Sequence, residues 1–164
     1  MGRSTGRMNH FQAMFRNLIK KIFSAGRRGQ VDYSSKNVLV VDDGEVERKF
    51  VSHSLERLGF KVVTVEDGFI ALDVIKKQPV DLVILDFYMP KMNGKAICSA
   101  LKADPQTRNI PVIFLTGSAS PKDIIDCYEV GAEYFLTKPI SSNQLVKQVE
   151  SIFSELQADV DPVL

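Results

Sequence analysis

From Lys36 onward, short β-branched runs alternate with stretches whose apolar residues recur every three or four positions. Residues 38–41, 61–65, 82–85, 112–115 and 133–137 read as strands. Between them, Val46, Phe50, Val51, Leu55 and Leu58 predict an amphipathic helix closed by Gly59, and Ala71, Leu72 and Ile75 one that ends before Pro79. Ile97, Ala100 and Leu101 predict a third, between Gly94 and the break at Asp104-Pro105. Ile124, Ile125 and Tyr128 mark a fourth that Gly131 ends, and Leu145, Val149, Ile152, Phe153 and Leu156 mark the last. Five strands alternating with five helices predict an α/β domain of about 125 residues, a doubly wound parallel sheet with helices on both faces. There is no internal repeat.

The first 36 residues follow another pattern. Phe11, Met14, Phe15, Leu18, Ile19, Ile22 and Phe23 form one helical stripe flanked by Arg16, Lys20 and Lys21, and Gly26 is a stop. Residues 26–36, GRRGQVDYSSK, read as a linker, which sets the expected division at 1–36 helix and linker, 37–157 domain and 158–164 tail. Three fates for the stripe fit equally: an interfacial helix on an anionic membrane, a docking helix for a partner or a second copy, or packing on its own domain.

Charge sharpens that division. Residues 1–36 hold eight Lys or Arg against Asp32 alone, a net +7, while the remainder carries −6, so the two parts face different partners. Cys98 and Cys127 are too few for a disulfide framework and lack metal-ligand spacing, which predicts reduced structural thiols, a cytoplasmic setting and no zinc site. No apolar run approaches the roughly 18 residues of a membrane span. The start MGRSTG has Gly6 where a myristoylation signal needs Ser or Thr, and the Arg-rich, acid-free start is only a weak match to a transit peptide. The basic N-terminus is too short and amphipathic for a folded nucleic-acid module, so no nucleic-acid partner is expected.

Polar chemistry collects where the strands stop. Asp42 and Asp43 follow strand one, Asp86 strand three, Thr116 strand four and Lys138 strand five. In a parallel sheet these ends share one edge, where open α/β folds bind ligands. Taken singly, Asp42 and Asp43 could cap the first helix, Asp86 a loop, and Thr116 and Lys138 could be ordinary surface residues. Together they form a set. Three neighbouring carboxylates repel, so they need raised pKa values or a cation between them, and Mg2+ fits because it takes one or two carboxylates and keeps room for water and a phosphoryl oxygen. A Thr donor and a Lys charge suit the phosphoryl oxygens, and Asp is a competent nucleophile in aspartyl-phosphate chemistry.

The segments VLVVDD, VILDFYMPKMNG, PVIFLTG and GAEYFLTKPI, with 30 residues from Asp86 to Thr116 and 22 from Thr116 to Lys138, closely resemble the receiver domain of two-component response regulators over residues 36–157. The resemblance implies a strand order of 2-1-3-4-5, and transfer of a phosphoryl group from a kinase phosphohistidine to Asp86. It implies that Asp43, Asp86 and the main-chain carbonyl of Tyr88 bind Mg2+ directly, with Asp42 acting largely through water. Thr116 and Lys138 would contact the phosphoryl oxygens, and the Lys138-Pro139 bond would be cis. On phosphorylation Thr116 would move inward and Phe135 would follow, reshaping the face of the fourth helix, fifth strand and fifth helix. Phe135 stands where the family more often has Tyr, and Tyr134 should point to the other side of the sheet.

Gly117 leaves access beside Thr116. Tyr88 is bulkier and Ser118 smaller than is common at the two positions that govern water attack, and Tyr88 is expected to shield the acyl phosphate and lengthen its life. The expected protein is thus a stand-alone phosphoacceptor with an output by protein–protein contact, a sensor histidine kinase or phosphotransfer protein as donor, and catalysis limited to its own phosphorylation and dephosphorylation. The rival is a phosphorylation-independent scaffold or membrane-associated module working through residues Phe11 to Phe23. A small phosphatase fits less well, because His10 and His53 fall in helical segments and no second acid or base joins the strand ends.

Overall fold

The computed structural model describes residues 31–117 and 120–158. The amphipathic stripe of residues 11–23, Ser118 and the tail from 159 onward lie outside the described residues.

Five strands and five helices alternate: β1 (Asn37–Val41), α1 (Glu45–Glu56), β2 (Lys61–Val65), α2 (Gly68–Lys77), β3 (Leu82–Leu85), α3 (Gly94–Ala103), β4 (Val112–Thr116), α4 (Pro121–Glu129), β5 (Tyr134–Thr137) and α5 (Ser142–Ala158). They form one parallel sheet in the order β2-β1-β3-β4-β5. The central strands are apolar except at Asn37 and Thr116, because both faces are covered. Leu39, Val41, Val83, Leu85, Val112 and Phe114 point into one core with Ala71, Ile97, Leu101 and Cys127 of α2, α3 and α4. The alternate residues Val38, Val40, Leu82, Ile84, Ile113 and Leu115 point into the other, with Val51 and Leu55 of α1 and Leu145, Val149, Ile152 and Phe153 of α5. Phe135 packs on the first core and Tyr134 on the second, where its hydroxyl bonds Glu155 Oε2 at 2.6 Å.

Helix ends follow local chemistry. Asp67, Asn93 and Ser120 cap α2, α3 and α4 through side chains that accept the N–H groups of Phe69, Ala96 and Asp123. After α1 and α4 the chain turns at Gly59 (φ 97°) and Gly131 (φ 89°), the left-handed region that a side chain would disfavour.

Three departures from the sequence pattern have physical causes. Val46 (76% exposed) and Phe50 (39% exposed) are not core residues, because each lies a quarter turn or more round α1 from the Val51 and Leu55 face. Glu133 lies one residue before β5, whose ladder with β4 begins with Tyr134 opposite Ile113, and its carboxylate accepts the Val112 N–H at 2.8 Å and pairs with Lys102 at 2.5 Å. Tyr33, in the segment read as linker, is buried, with its ring stacked on Phe60 at 4.3 Å and near Phe153 at 5.9 Å.

Candidate functional site

The strand register assembles the site. Val41 pairs with Leu85 in the β1–β3 ladder, and the Asp86 N–H continues it by bonding the Val41 carbonyl at 2.8 Å. Asp42 and Asp86 therefore sit side by side, one step past the same pair. Across the sheet Thr116 pairs with Thr137, and the Lys138 N–H bonds the Thr116 carbonyl at 2.8 Å. The Lys138-Pro139 bond is cis. Lys138 Nζ reaches back to Asp42 Oδ2 at 2.6 Å and stands 3.5 Å from Asp86 Oδ2.

Asp42, Asp43 and Asp86 each offer an oxygen within 4.8 Å of the others, and Asp43 is the exposed member. Asp42 is fixed twice over, its Oδ1 taking the Gly44 N–H at 2.8 Å and its main-chain oxygen taking Arg48 Nη1 at 2.6 Å. The N-cap of α1 is Gly44, with no side-chain cap, so Asp43 does not serve as its cap. Asp86 is buried, and its Oδ1 has no hydrogen-bond partner. A buried carboxylate oxygen without a donor is costly unless a cation or ligand completes it, so the set suits a hard divalent ion.

Electrostatics agree. Burial pushes the Asp86 carboxyl above the usual carboxylate range; Lys138 opposes this, the Asp42 charge adds to it, and the Thr116 hydroxyl and Tyr88 N–H favour the ionised form. Burial works against the Lys138 ammonium, but the hydrogen bond and charge of Asp42, then Asp86 and Glu47, outweigh it and raise its pKa.

Gly94 makes the floor of the site possible, since a Cβ there would collide with the Asp86 carbonyl and come within 2.8 Å of Phe114 Cε1. At Gly117 a Cβ would meet no described atom within 4 Å, so the space beside Thr116 is open.

Residues 38–150 match the family model described as the response regulator receiver domain. The chain belongs to that family. This receiver is 32% identical over 120 residues to chemotaxis protein CheY-3 of Vibrio cholerae, covering 73% of this chain and 92% of CheY-3. It is 36% identical over 120 residues to a probable cyclic di-GMP phosphodiesterase of Vibrio cholerae, covering 73% of this chain but 27% of that protein. The chain thus spans about a quarter of that larger relative. Among solved structures, chemotaxis protein CheY4 of Vibrio cholerae matches the receiver with a TM-score of 0.68 and 34% identity, over 71% of this chain and 97% of that one.

The receiver brings Asp42, Asp43, Asp86, Thr116 and Lys138 to one sheet edge. Arg48 and Asp123 escaped the sequence reading. Arg48 had no visible signal, because its partner is a main-chain oxygen. Asp123 had one in the pattern Ser120-Pro121-Lys122-Asp123, a capping-box spacing, but that spacing gives no hint that Asp123 Oδ1 also accepts the Tyr88 hydroxyl at 2.7 Å. Among the described residues, no helix is long and apolar enough to cross a membrane.

Proposed function

We propose that Asp86 is the phosphoacceptor of this receiver and that it takes its phosphoryl group from a phosphohistidine on a kinase or phosphotransfer protein. A carboxylate oxygen of Asp86 attacks phosphorus, the bond from phosphorus to the imidazole nitrogen breaks, and the leaving imidazole regains a proton from solvent. The observation that carries this reading is the buried Asp86 Oδ1 without a donor, between two further carboxylates and within reach of a lysine. Asp43, Asp86 and the Tyr88 carbonyl would hold Mg2+ directly, and Asp42 largely through water. Mg2+ there neutralises the carboxylate charge that would otherwise repel an incoming phosphoryl group.

Lys138 and Thr116 then bind the phosphoryl oxygens. Lys138, bonded to Asp42 and already 3.5 Å from Asp86, has further N–H donors to turn toward a phosphoryl group on Asp86. Thr116 moves inward and Phe135, on the first core beside it, follows. The output is a change in protein–protein contact and not turnover of a soluble substrate.

The test is incubation with a small phosphodonor and Mg2+, read as a one-phosphoryl mass increment on the intact protein. Wild type gains it and Asp86→Asn does not; an equal gain by Asp86→Asn rejects the assignment.

A further inference from the structure

Tyr88 lies two residues beyond Asp86 on the loop after β3, and Asp123 lies in the first turn of α4, seven residues beyond Thr116. The strands behind them, β3 and β4, are neighbours in the sheet. A side-chain contact between the two therefore bridges the gap between the loops that carry the nucleophile and the threonine. The contact is short: the Tyr88 hydroxyl donates to Asp123 Oδ1 at 2.7 Å. Asp123 is buried, and its other oxygen takes the Ser120 hydroxyl at 2.6 Å while its own N–H bonds Ser120 Oγ at 3.1 Å. Both carboxylate oxygens are thus held, and the acceptor cannot swing with the tyrosine.

The tyrosine is held at its far end by this bond. The residue is 54% exposed, and its ring meets the Phe87 ring edge-on with 4.9 Å between centroids. Its main-chain N–H favours the charged form of the Asp86 carboxyl, so the residue that reaches α4 through its hydroxyl reaches the nucleophile through its amide. A free, half-exposed ring samples several rotamers, whereas one fixed at its far end by a charge-assisted bond does not.

We infer that Asp123 is a positioning residue for the phosphoryl site: by holding the Tyr88 hydroxyl it fixes the ring between the loops that follow β3 and β4 and prolongs the aspartyl phosphate. This rests on Asp86 being the phosphoacceptor. Hydrolysis forms a bond from a water oxygen to phosphorus, breaks the bond from phosphorus to the Asp86 oxygen, releases inorganic phosphate and returns the carboxylate, with the water proton passing to phosphate or solvent. That water must enter from the open side of the strand ends. A ring fixed across the two loops obstructs it, and a ring free to rotate away does so less.

The test uses the full chain, phosphorylated by a small phosphodonor with Mg2+, desalted, and followed by the decay of the slow band on a phosphate-affinity gel. Tyr88→Phe, which removes only the hydroxyl, and Asp123→Ala, which removes the acceptor, each shorten the half-life by about three- to tenfold. Asp123→Asn keeps an acceptor oxygen and stays within about twofold of wild type. The Tyr88→Phe/Asp123→Ala pair decays no faster than the faster single variant, because both break the same bond. A purely structural role for Asp123 would instead lower the melting temperature and leave the decay rate alone. Should Asp123→Ala fail to fold, Tyr88→Phe alone decides. A Tyr88→Phe half-life within twofold of wild type, or single effects that multiply in the pair, overturns the inference. Absence of a phosphorylated band in wild type, or its presence in Asp86→Asn, overturns the phosphoacceptor reading and this inference with it.

Discussion

Lys138 Nζ sits 2.6 Å from Asp42 Oδ2, joining the first and last strand ends across 96 residues of chain. Among the described residues, the ammonium is the only positive group that contacts both Asp42 and Asp86. It stands in for part of the charge that a divalent ion would supply, and it competes with that ion. Lys138→Met should therefore lower the stability of the metal-free protein by about 2 kcal/mol, less than the roughly 3–5 kcal/mol for a fully buried pair because Lys138 is partly exposed. The same variant should bind Mg2+ more tightly, by about two- to tenfold. Thermal melts without metal and a Mg2+ titration check the two halves; unchanged Mg2+ affinity would remove Lys138 from the site.

Asp86 gives a pH signature. Its carboxyl titrates above the usual range because burial penalises the charge. A raised pKa means that the folded state binds the proton more tightly than the unfolded chain, so the ionised side chain opposes folding. The cost is absent below the unfolded value and sets in as pH rises through the folded one. Asp86→Asn should thus match wild type in acid and exceed it near neutrality, by on the order of 1 kcal/mol or about 4 °C. Saturating Mg2+ should narrow the gap by stabilising only the wild type. Melting curves of both proteins across pH, with and without Mg2+, measure it.

Much of this was readable from the pattern of residues, and what was not has a common cause. A strand buried on both faces announces itself as an unbroken apolar run, so Leu82–Leu85 coincides with its predicted range, while the half-exposed edge strand Lys61–Val65 is legible from its β-branched residues. Asp42, Asp86, Thr116 and Lys138 are legible because strand ends of a parallel sheet share an edge whatever the loops do. Val46 and Phe50 misled because apolar character does not tell which side of α1 faces the sheet. Tyr33 and the Tyr88 to Asp123 bond were invisible because each depends on a partner 27 or more residues away that no local spacing marks.

Tyr33 tests where the folded unit starts. Tyr33 joins Phe60 and Phe153, and Lys36 Nζ lies 5.8 Å from the Phe153 ring. Tyr33→Ala should cost about 3 kcal/mol, as for other buried aromatic truncations. A chain beginning at Lys36 should lose a similar amount, and one beginning at Tyr33 should lose little. Urea midpoints of the three proteins make the comparison.

Two glycines near the site should differ in their response to alanine. Gly94→Ala places a methyl against the Asp86 carbonyl and Phe114, neither of which is a flexible side-chain end, and should destabilise by about 3 kcal/mol while displacing the nucleophile. Gly117→Ala enters open space and should change stability by less than about 0.5 kcal/mol. Thermal melts, paired with the extent of phosphorylation by a small phosphodonor, separate the two.

The central claim, that Asp86 carries the phosphoryl group, has a direct chemical readout. An acyl phosphate is reduced by borohydride, which converts the modified aspartate to homoserine. Phosphorylated protein treated in this way and mapped by peptide mass spectrometry should show homoserine at position 86, with Asp42 and Asp43 intact and no conversion when Mg2+ is withheld. Homoserine at 42 or 43 instead, or a phosphorylated protein with no homoserine at 86, would contradict the account.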